Sequence, residues 1–167
     1  VTGTGIQGII AALKGGNVLA VDAFSDQVDN ANLNFKITGL ENMARAILSD
    51  LFSEVSQERR FDYIVFSLPF VDKPIASPEH LATRDPGSEL ALRFFNAAPD
   101  FLNKNGAVIM SYPDLNSRHP AALRLKEELR GRFRISVMEN FRILGAASDK
   151  LCVYRLRSVS EATSSPL

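Results

Sequence analysis

Short apolar runs alternate along the chain with stretches in which apolar positions recur every three or four residues. This rhythm predicts strands and helices in turn. Ile6 to Lys14 has the helical spacing and is closed by Gly15-Gly16. Asn17 to Asp22 predicts a short buried strand ending on an acid. Ser25 stands in a capping position before a helix from Asp26 to about Thr38, with Gly39 just past its end. Ala44 to Leu48 predicts a weaker strand leading into Ser49-Asp50-Leu51-Phe52. Phe61 to Phe66 is the clearest strand and runs directly into Ser67-Leu68-Pro69-Phe70. Residues 71–87 contain Pro74, Pro78 and Pro86 and predict a long loop, a kind of segment that often carries function. A helix is expected from Ser88 to Leu102, a strand from Gly106 to Ser111, and a helix from Pro120 to Arg132 stopped near Gly131. Arg134 to Leu144 and Lys150 to Arg157 predict two strands joined by a turn at Gly145, an antiparallel hairpin. Residues 158–167, rich in Ser and Thr, predict a frayed tail.

The alternation implies an α/β fold, Rossmann-like and doubly wound, with a mostly parallel sheet and the hairpin at its C-terminal end. One domain over residues 1–157 accounts for it, and 167 residues suffice for a real core. Gly3-Thr4-Gly5-Ile6-Gln7-Gly8 is a turn of the kind that bends a strand sharply into a helix. Val1-Thr2 supplies only the last residues of such a strand. The first strand is therefore expected to be largely missing from this chain, as in a piece of a longer polypeptide.

Composition narrows the class. The chain is 46% hydrophobic and 23% charged, as in a soluble globular protein. No apolar run approaches the roughly 20 residues of a membrane span. The single cysteine, Cys152, lies in an apolar run and reads as a buried thiol; a disulfide or zinc framework is excluded by count. A cytoplasmic location is expected. The net charge is zero but uneven: residues 1–117 hold 9 Lys and Arg against 14 Asp and Glu, and residues 118–167 hold 10 against 5. A basic C-terminal third suits nucleic acid, yet no aromatic residues are interleaved with the basic ones, and a solvated helix face explains the same charges.

The candidate chemistry lies at strand ends, where ligands bind in open parallel sheets. The glycine loop is common to nicotinamide, flavin and S-adenosylmethionine enzymes. Asp22, nineteen residues after Gly3 and at the end of a strand, is placed to take both hydroxyls of a ribose. Asp50 closes the next strand region and could accept a hydrogen bond from an adenine amino group. His80 and His119 are lone histidines in polar loops and read as solvated, without metal-ligand spacing. Phe94, Phe95 and Phe101 fall at helical spacing and read as core. No Gly-x-Ser-x-Gly turn accompanies Ser67, which argues against a hydrolase.

With Ser67-Leu68-Pro69-Phe70 at the end of the fourth strand region, the chain resembles the class I S-adenosylmethionine-dependent methyltransferases. More narrowly it is similar to the small-domain group that includes HemK-like glutamine methyltransferases and ribosomal RNA guanine-N2 methyltransferases. The similarity runs over about residues 1–157. It is carried by the glycine loop, Val21-Asp22, Ser49-Asp50-Leu51-Phe52, Phe61-Asp62-Tyr63-Ile64-Val65, Ser67-Leu68-Pro69-Phe70 and the terminal hairpin. The resemblance implies S-adenosyl-L-methionine as cofactor, held by Gly3, Thr4, Gly5, Gly8, Asp22, Ala23, Asp50 and Leu51. It implies N-methylation of a planar amide or exocyclic amine in an RNA base or a protein glutamine. Ser67 would be the side-chain acceptor for the target N–H, Leu68 the backbone acceptor, Pro69 the turn residue and Phe70 the stacking platform.

In that family the fourth-strand motif is commonly Asn-Pro-Pro-Tyr or Asn-Pro-Pro-Phe, so Ser67 stands for Asn and Leu68 for the first Pro. Val1 stands where an acid usually precedes the first glycine by two residues. The implied partners are an RNA or protein substrate, engaged through an N-terminal domain outside this chain, with no metal and no membrane. Two other readings share part of the pattern. A nicotinamide-binding oxidoreductase would use the loop and Asp22 but gives no reason for Ser67 to Phe70. A non-catalytic module would explain the departures at Val1, Ser67 and Leu68.

Overall fold

Val18–Asp22 forms β1 and Ala44–Leu48 forms β2, and they pair in parallel with Val18 opposite Ala44 and Asp22 opposite Leu48. The computed structural model describes residues 2–142 and 150–159. It divides into two compact units, Val1–Arg59 and Arg60–Leu167.

In the first unit α1 (Ile6–Leu13) and α2 (Ser25–Ile37) accompany the β1–β2 pair. Gly15 and Gly16 close α1 as expected, their N–H groups donating to the carbonyls of Ala12 and Ala11. The core is Phe35 and Ala31, both fully buried, with Ala12, Ala20, Val28, Leu40, Ala44 and Ala46 around them. Small residues on the strands leave room for the Phe35 ring. Asn32 on α2 pairs with β2 as another strand would: its Nδ2 donates to the Ala46 carbonyl at 3.1 Å, and its Oδ1 accepts the Ala46 N–H at 2.8 Å. Ser25 is the first residue of α2 rather than its cap. Phe24 holds the cap position without a side-chain bond, and the Phe24 N–H is taken by Asp22.

The second unit is a four-stranded sheet in the order β3-β4-β6-β5, with β3 Phe61–Ser67, β4 Leu102–Pro113, β5 Phe133–Arg142 and β6 Lys150–Ser158. β3 and β4 are parallel, while β6 runs antiparallel to both β4 and β5. The two strands of the expected hairpin are therefore present. The Gly145 turn lies outside the described residues, as does the tail from 160 onward, whereas Ser158 ends β6 instead of opening a tail. The helices are α3, Glu89–Ala97, and α4, Pro120–Leu129. The helix expected as far as Leu102 gives way at Ala98 to a 3-10 turn, Ala98–Phe101, and β4 begins at once. Pro99, which lacks an N–H, sits in that turn. Phe66, Phe94, Phe95 and Phe133 form a chain of tilted and edge-on rings at 4.6, 5.0 and 5.5 Å, docking α3 on the sheet. Phe94, Phe95 and Phe101 are core, as read from their spacing, and Cys152 is a buried free thiol.

The expected α/β fold with parallel strand pairs and a C-terminal antiparallel hairpin is present, β1–β2 in the first unit and β3-β4-β6-β5 in the second. Tyr63 and Val65 share one face of β3 and are exposed.

Candidate functional site

The first unit carries the glycine loop. Gly5, at φ 79°, ends it in the left-handed region and precedes α1. A Cβ on Gly5 would lie 3.1 Å from the Phe35 ring, and one on Gly8 would lie 3.0 Å from it. These two glycines thus let α1 close on α2. A Cβ on Gly3, at φ 54°, would meet nothing within 4 Å, so there is open space on that side of the loop. The Thr4 carbonyl accepts from Asn34 Nδ2 at 2.9 Å, which ties the loop to α2.

Asp22 sits at the end of β1 and is buried. Its Oδ2 accepts the N–H groups of Thr2 at 2.8 Å and Gly3 at 3.2 Å, and its Oδ1 accepts that of Phe24 at 3.1 Å. The carboxylate read from the sequence as a ribose acceptor is thus also the staple between the glycine loop and the strand end. A carboxylate has about four lone-pair sites, so these three bonds do not exhaust it.

Ala23 and Asp50 come together with Leu48, Ser49, Ser53 and Glu54 around an open depression of ≈ 340 Å³. Its lining is apolar at Ala23 and Leu48 and acidic at Asp50 and Glu54. Buried Ser49 organises the rim: its hydroxyl donates to the Leu51 carbonyl at 2.9 Å and accepts the Glu54 N–H at 3.1 Å. Leu51 is held there at φ 53°, a left-handed conformation costing a non-glycine residue about 1–2 kcal/mol.

In the second unit Ser67 is the last residue of β3, followed by buried Leu68 and Pro69. The half-buried Phe70 ring meets Tyr112 edge-on at 6.3 Å. Ser67 lies opposite Ser111 of β4, whose hydroxyl donates to Ser67 Oγ at 2.9 Å.

The segment 71–87 is more ordered than its composition suggested. Thr83 carbonyl accepts the N–H groups of Phe70 and Val71, Val71 bridges to Arg84, and Asp85 N–H donates back to the Val71 carbonyl. Two 3-10 turns, Pro78–Ala82 and Pro86–Ser88, punctuate it. His80 is a loop tie as well as a polar side chain, its Nδ1 accepting the Ala76 N–H at 3.2 Å. Buried Asp85 accepts the Leu90 and Ala91 N–H groups at 2.8 and 3.0 Å, capping α3. Burial raises the Tyr112 phenol above its ordinary value, opposed by its hydrogen bond with Ser88. Among the described residues no group of three or more His, Cys, Asp or Glu could hold a metal, and no helix is long and apolar enough to cross a membrane.

No family model matches the chain. Among solved structures, a methyltransferase from Pyrococcus furiosus is similar over 95% of this chain and 72% of its own, at TM-score 0.68 and 17% identity. A ribosomal protein L11 methylase from Lactobacillus delbrueckii subsp. bulgaricus is similar over 94% of this chain and 66% of its own, at TM-score 0.60 and 22% identity. A Streptococcus mutans protein described as a methyltransferase, solved in complex with S-adenosylhomocysteine, covers 95% of this chain and 85% of its own, at TM-score 0.63 and 14% identity. The chain shares the fold of these methyltransferases.

In sequence this methyltransferase-fold chain is 33% identical over 121 residues to the ribosomal protein uL3 glutamine methyltransferase of Francisella tularensis subsp. tularensis. That match takes in 65% of this chain and 38% of the relative's length. Within the methyltransferase fold, Asn34, Asp85 and Ser111 are contributors that sequence reasoning missed. Ser111 left a signal, because it closes its predicted strand as Ser67 closes β3. Asn34 and Asp85 left none, since one lies mid-helix and the other within a loop.

Proposed function

We propose that the chain is a methyltransferase domain that moves a methyl group from S-adenosyl-L-methionine to the nitrogen of a planar amide or exocyclic amine. The observation that carries this reading is the turn Ser67-Leu68-Pro69-Phe70 at the end of β3, with Leu68 and Pro69 buried and Phe70 seated against Tyr112. The sequence relative acts on a glutamine of ribosomal protein uL3, so a protein glutamine amide is the first candidate target. An RNA base amine is the alternative within the same chemistry. A substrate of this kind implies a cytoplasmic protein.

The first unit fits the cofactor. The open space beside Gly3 suits close approach of a ligand, and the depression at Ala23 and Asp50 has apolar lining for a purine and an acid for its amino group. Bound there, S-adenosyl-L-methionine would supply a sulfonium carrying a transferable methyl. Gly3, Thr4 and Gly5 form the loop, Gly8 lets the helix after it close on α2, Asp22 holds the loop and is the acid assigned to the ribose, and Asp50 and Leu51 shape the base end. On the target side the Ser67 hydroxyl and the Leu68 carbonyl accept the two N–H bonds of the nitrogen, and Phe70 packs on the flat group. No strong base is required, because the task is to hold a nitrogen lone pair in line.

Thermal shift of the full-length protein with S-adenosylmethionine, S-adenosylhomocysteine and NAD tests the cofactor, since a ligand of the native state raises Tm. Stabilisation by the first two is expected. Stabilisation by NAD alone would overturn the reading in favour of an oxidoreductase, and none at all would favour a non-catalytic module.

A further inference from the structure

β3 ends opposite Ser111, and β4 runs on through Tyr112 and Pro113, which pair with Cys152 and Leu151 of β6. Tyr112 is 1% exposed and stands just past the point where the chain leaves β3 for Leu68-Pro69-Phe70. Its ring meets the half-buried Phe70 ring edge-on at 6.3 Å, the two planes 78° apart. Its hydroxyl is hydrogen-bonded to Ser88. One side chain on a paired strand therefore touches both ends of the segment that joins β3 to α3.

The same ends are zipped by the segment itself. The Thr83 carbonyl accepts from Phe70 and Val71, Asp85 N–H donates to the Val71 carbonyl, and Gly87 N–H donates to Asp72 Oδ1 at 2.9 Å. These bonds fix the backbone at Phe70 but leave its ring torsions to packing. Ser88 is buried and held at φ 59°, in the left-handed region. A buried hydroxyl there needs a partner, and Tyr112 supplies it. The Tyr112 ring is thus held by its strand at the base and by Ser88 at the tip, so the surface it offers Phe70 has a fixed orientation.

We propose that Tyr112 is a positioning residue that holds the Phe70 ring in the orientation that receives the flat target group, a role that rests on the reading of Phe70 as the target platform. Tyr112 touches no reacting atom itself. A ring already held in place loses less freedom when the target arrives, so the benefit appears in target affinity.

In the full-length protein, with radiolabelled S-adenosylmethionine and ribosomal protein uL3 as the probe substrate, Tyr112→Leu should raise KM for uL3 about two- to tenfold, the worth of one ordered aromatic side chain. kcat and KM for S-adenosylmethionine should be unchanged, a split that general loss of structure does not give. Tyr112→Phe keeps the ring and should restore most of the target affinity. Should Tyr112→Leu not fold, Tyr112→Met fills the volume without a flat ring and carries the same expectation. Tyr112→Leu in a Phe70→Leu background should add no further rise in KM, because one acts through the other. Equal KM values for Tyr112→Leu and Tyr112→Phe, or additive rises in the double variant, would overturn the positioning role while leaving the Phe70 reading intact. A Phe70→Leu protein with the parental KM would overturn the Phe70 reading and this role with it. Crystal structures give a readout independent of activity. Phe70 should occupy one rotamer in the parent and in Tyr112→Phe, and several in Tyr112→Leu; a single unchanged rotamer in Tyr112→Leu overturns the proposal.

Discussion

Asp22 Oδ2 accepts the backbone N–H of Thr2 at 2.8 Å, joining the end of β1 to a loop twenty residues earlier in the chain. The same oxygen takes Gly3, and the other takes Phe24. A side chain that reads as a ligand acceptor therefore has a structural duty as well. Substitution here should be felt in folding and in binding together.

Asp22→Ala should destabilise the protein by about 1–3 kcal/mol, since three partly buried N–H donors lose their acceptor together. Urea denaturation measures this. Calorimetric titration of S-adenosylhomocysteine on the folded fraction measures the ligand contribution separately. Lost stability with unchanged affinity would assign Asp22 to the loop alone.

Gly8 and Phe35 define a second test. A methyl group on Gly8 would stand 3.0 Å from the Phe35 ring, which is fully buried. Gly8→Ala should cost about 1–3 kcal/mol, as overpacking does. Phe35→Leu introduced into that background should return part of the loss, although alone it should destabilise. Additive losses in a double-mutant cycle would separate the two residues.

Asp85 caps α3 with both carboxylate oxygens. Its backbone also bonds Val71, next to the Ser67 to Phe70 turn. Asp85→Ala should lower stability by about 1–2 kcal/mol, the scale of a lost cap. It should also speed limited proteolysis within residues 71–87 more than elsewhere, which peptide mapping would show. Asp85→Asn should keep part of the cap and of the protection.

Tyr154 provides a pH test. Burial, and then its neighbour Cys152, raise the phenol well above the ordinary 10.0, and its oxygen accepts the Leu115 N–H at 2.8 Å. Because the folded value is raised, the contribution is fully present below pH ~10 and is lost as pH rises through the folded value. Stability measured by denaturation should therefore fall above pH ~10. Tyr154→Phe should flatten that fall while costing about 1–3 kcal/mol at neutral pH, since the Leu115 N–H loses its acceptor.

The order of helices and strands, and the positions of Asp22, Asp50 and Ser67 at strand ends, are legible in the residue pattern. Apolar periodicity and glycine punctuation are local signals, and they survive without knowledge of the partners. The pattern also marks the glycine loop but not the division of labour within it. Packing assigns Gly5 and Gly8 to making room for Phe35 and leaves the space beside Gly3 open, because a close approach belongs to two helices. The same holds for Asp22 stapling Thr2, Asp85 capping α3 from inside a loop, and Ser111 meeting Ser67 across 44 residues of chain. Each joins groups whose distance is set by strand register and helix docking. Those quantities emerge from packing and carry no short-range mark in the order of the residues.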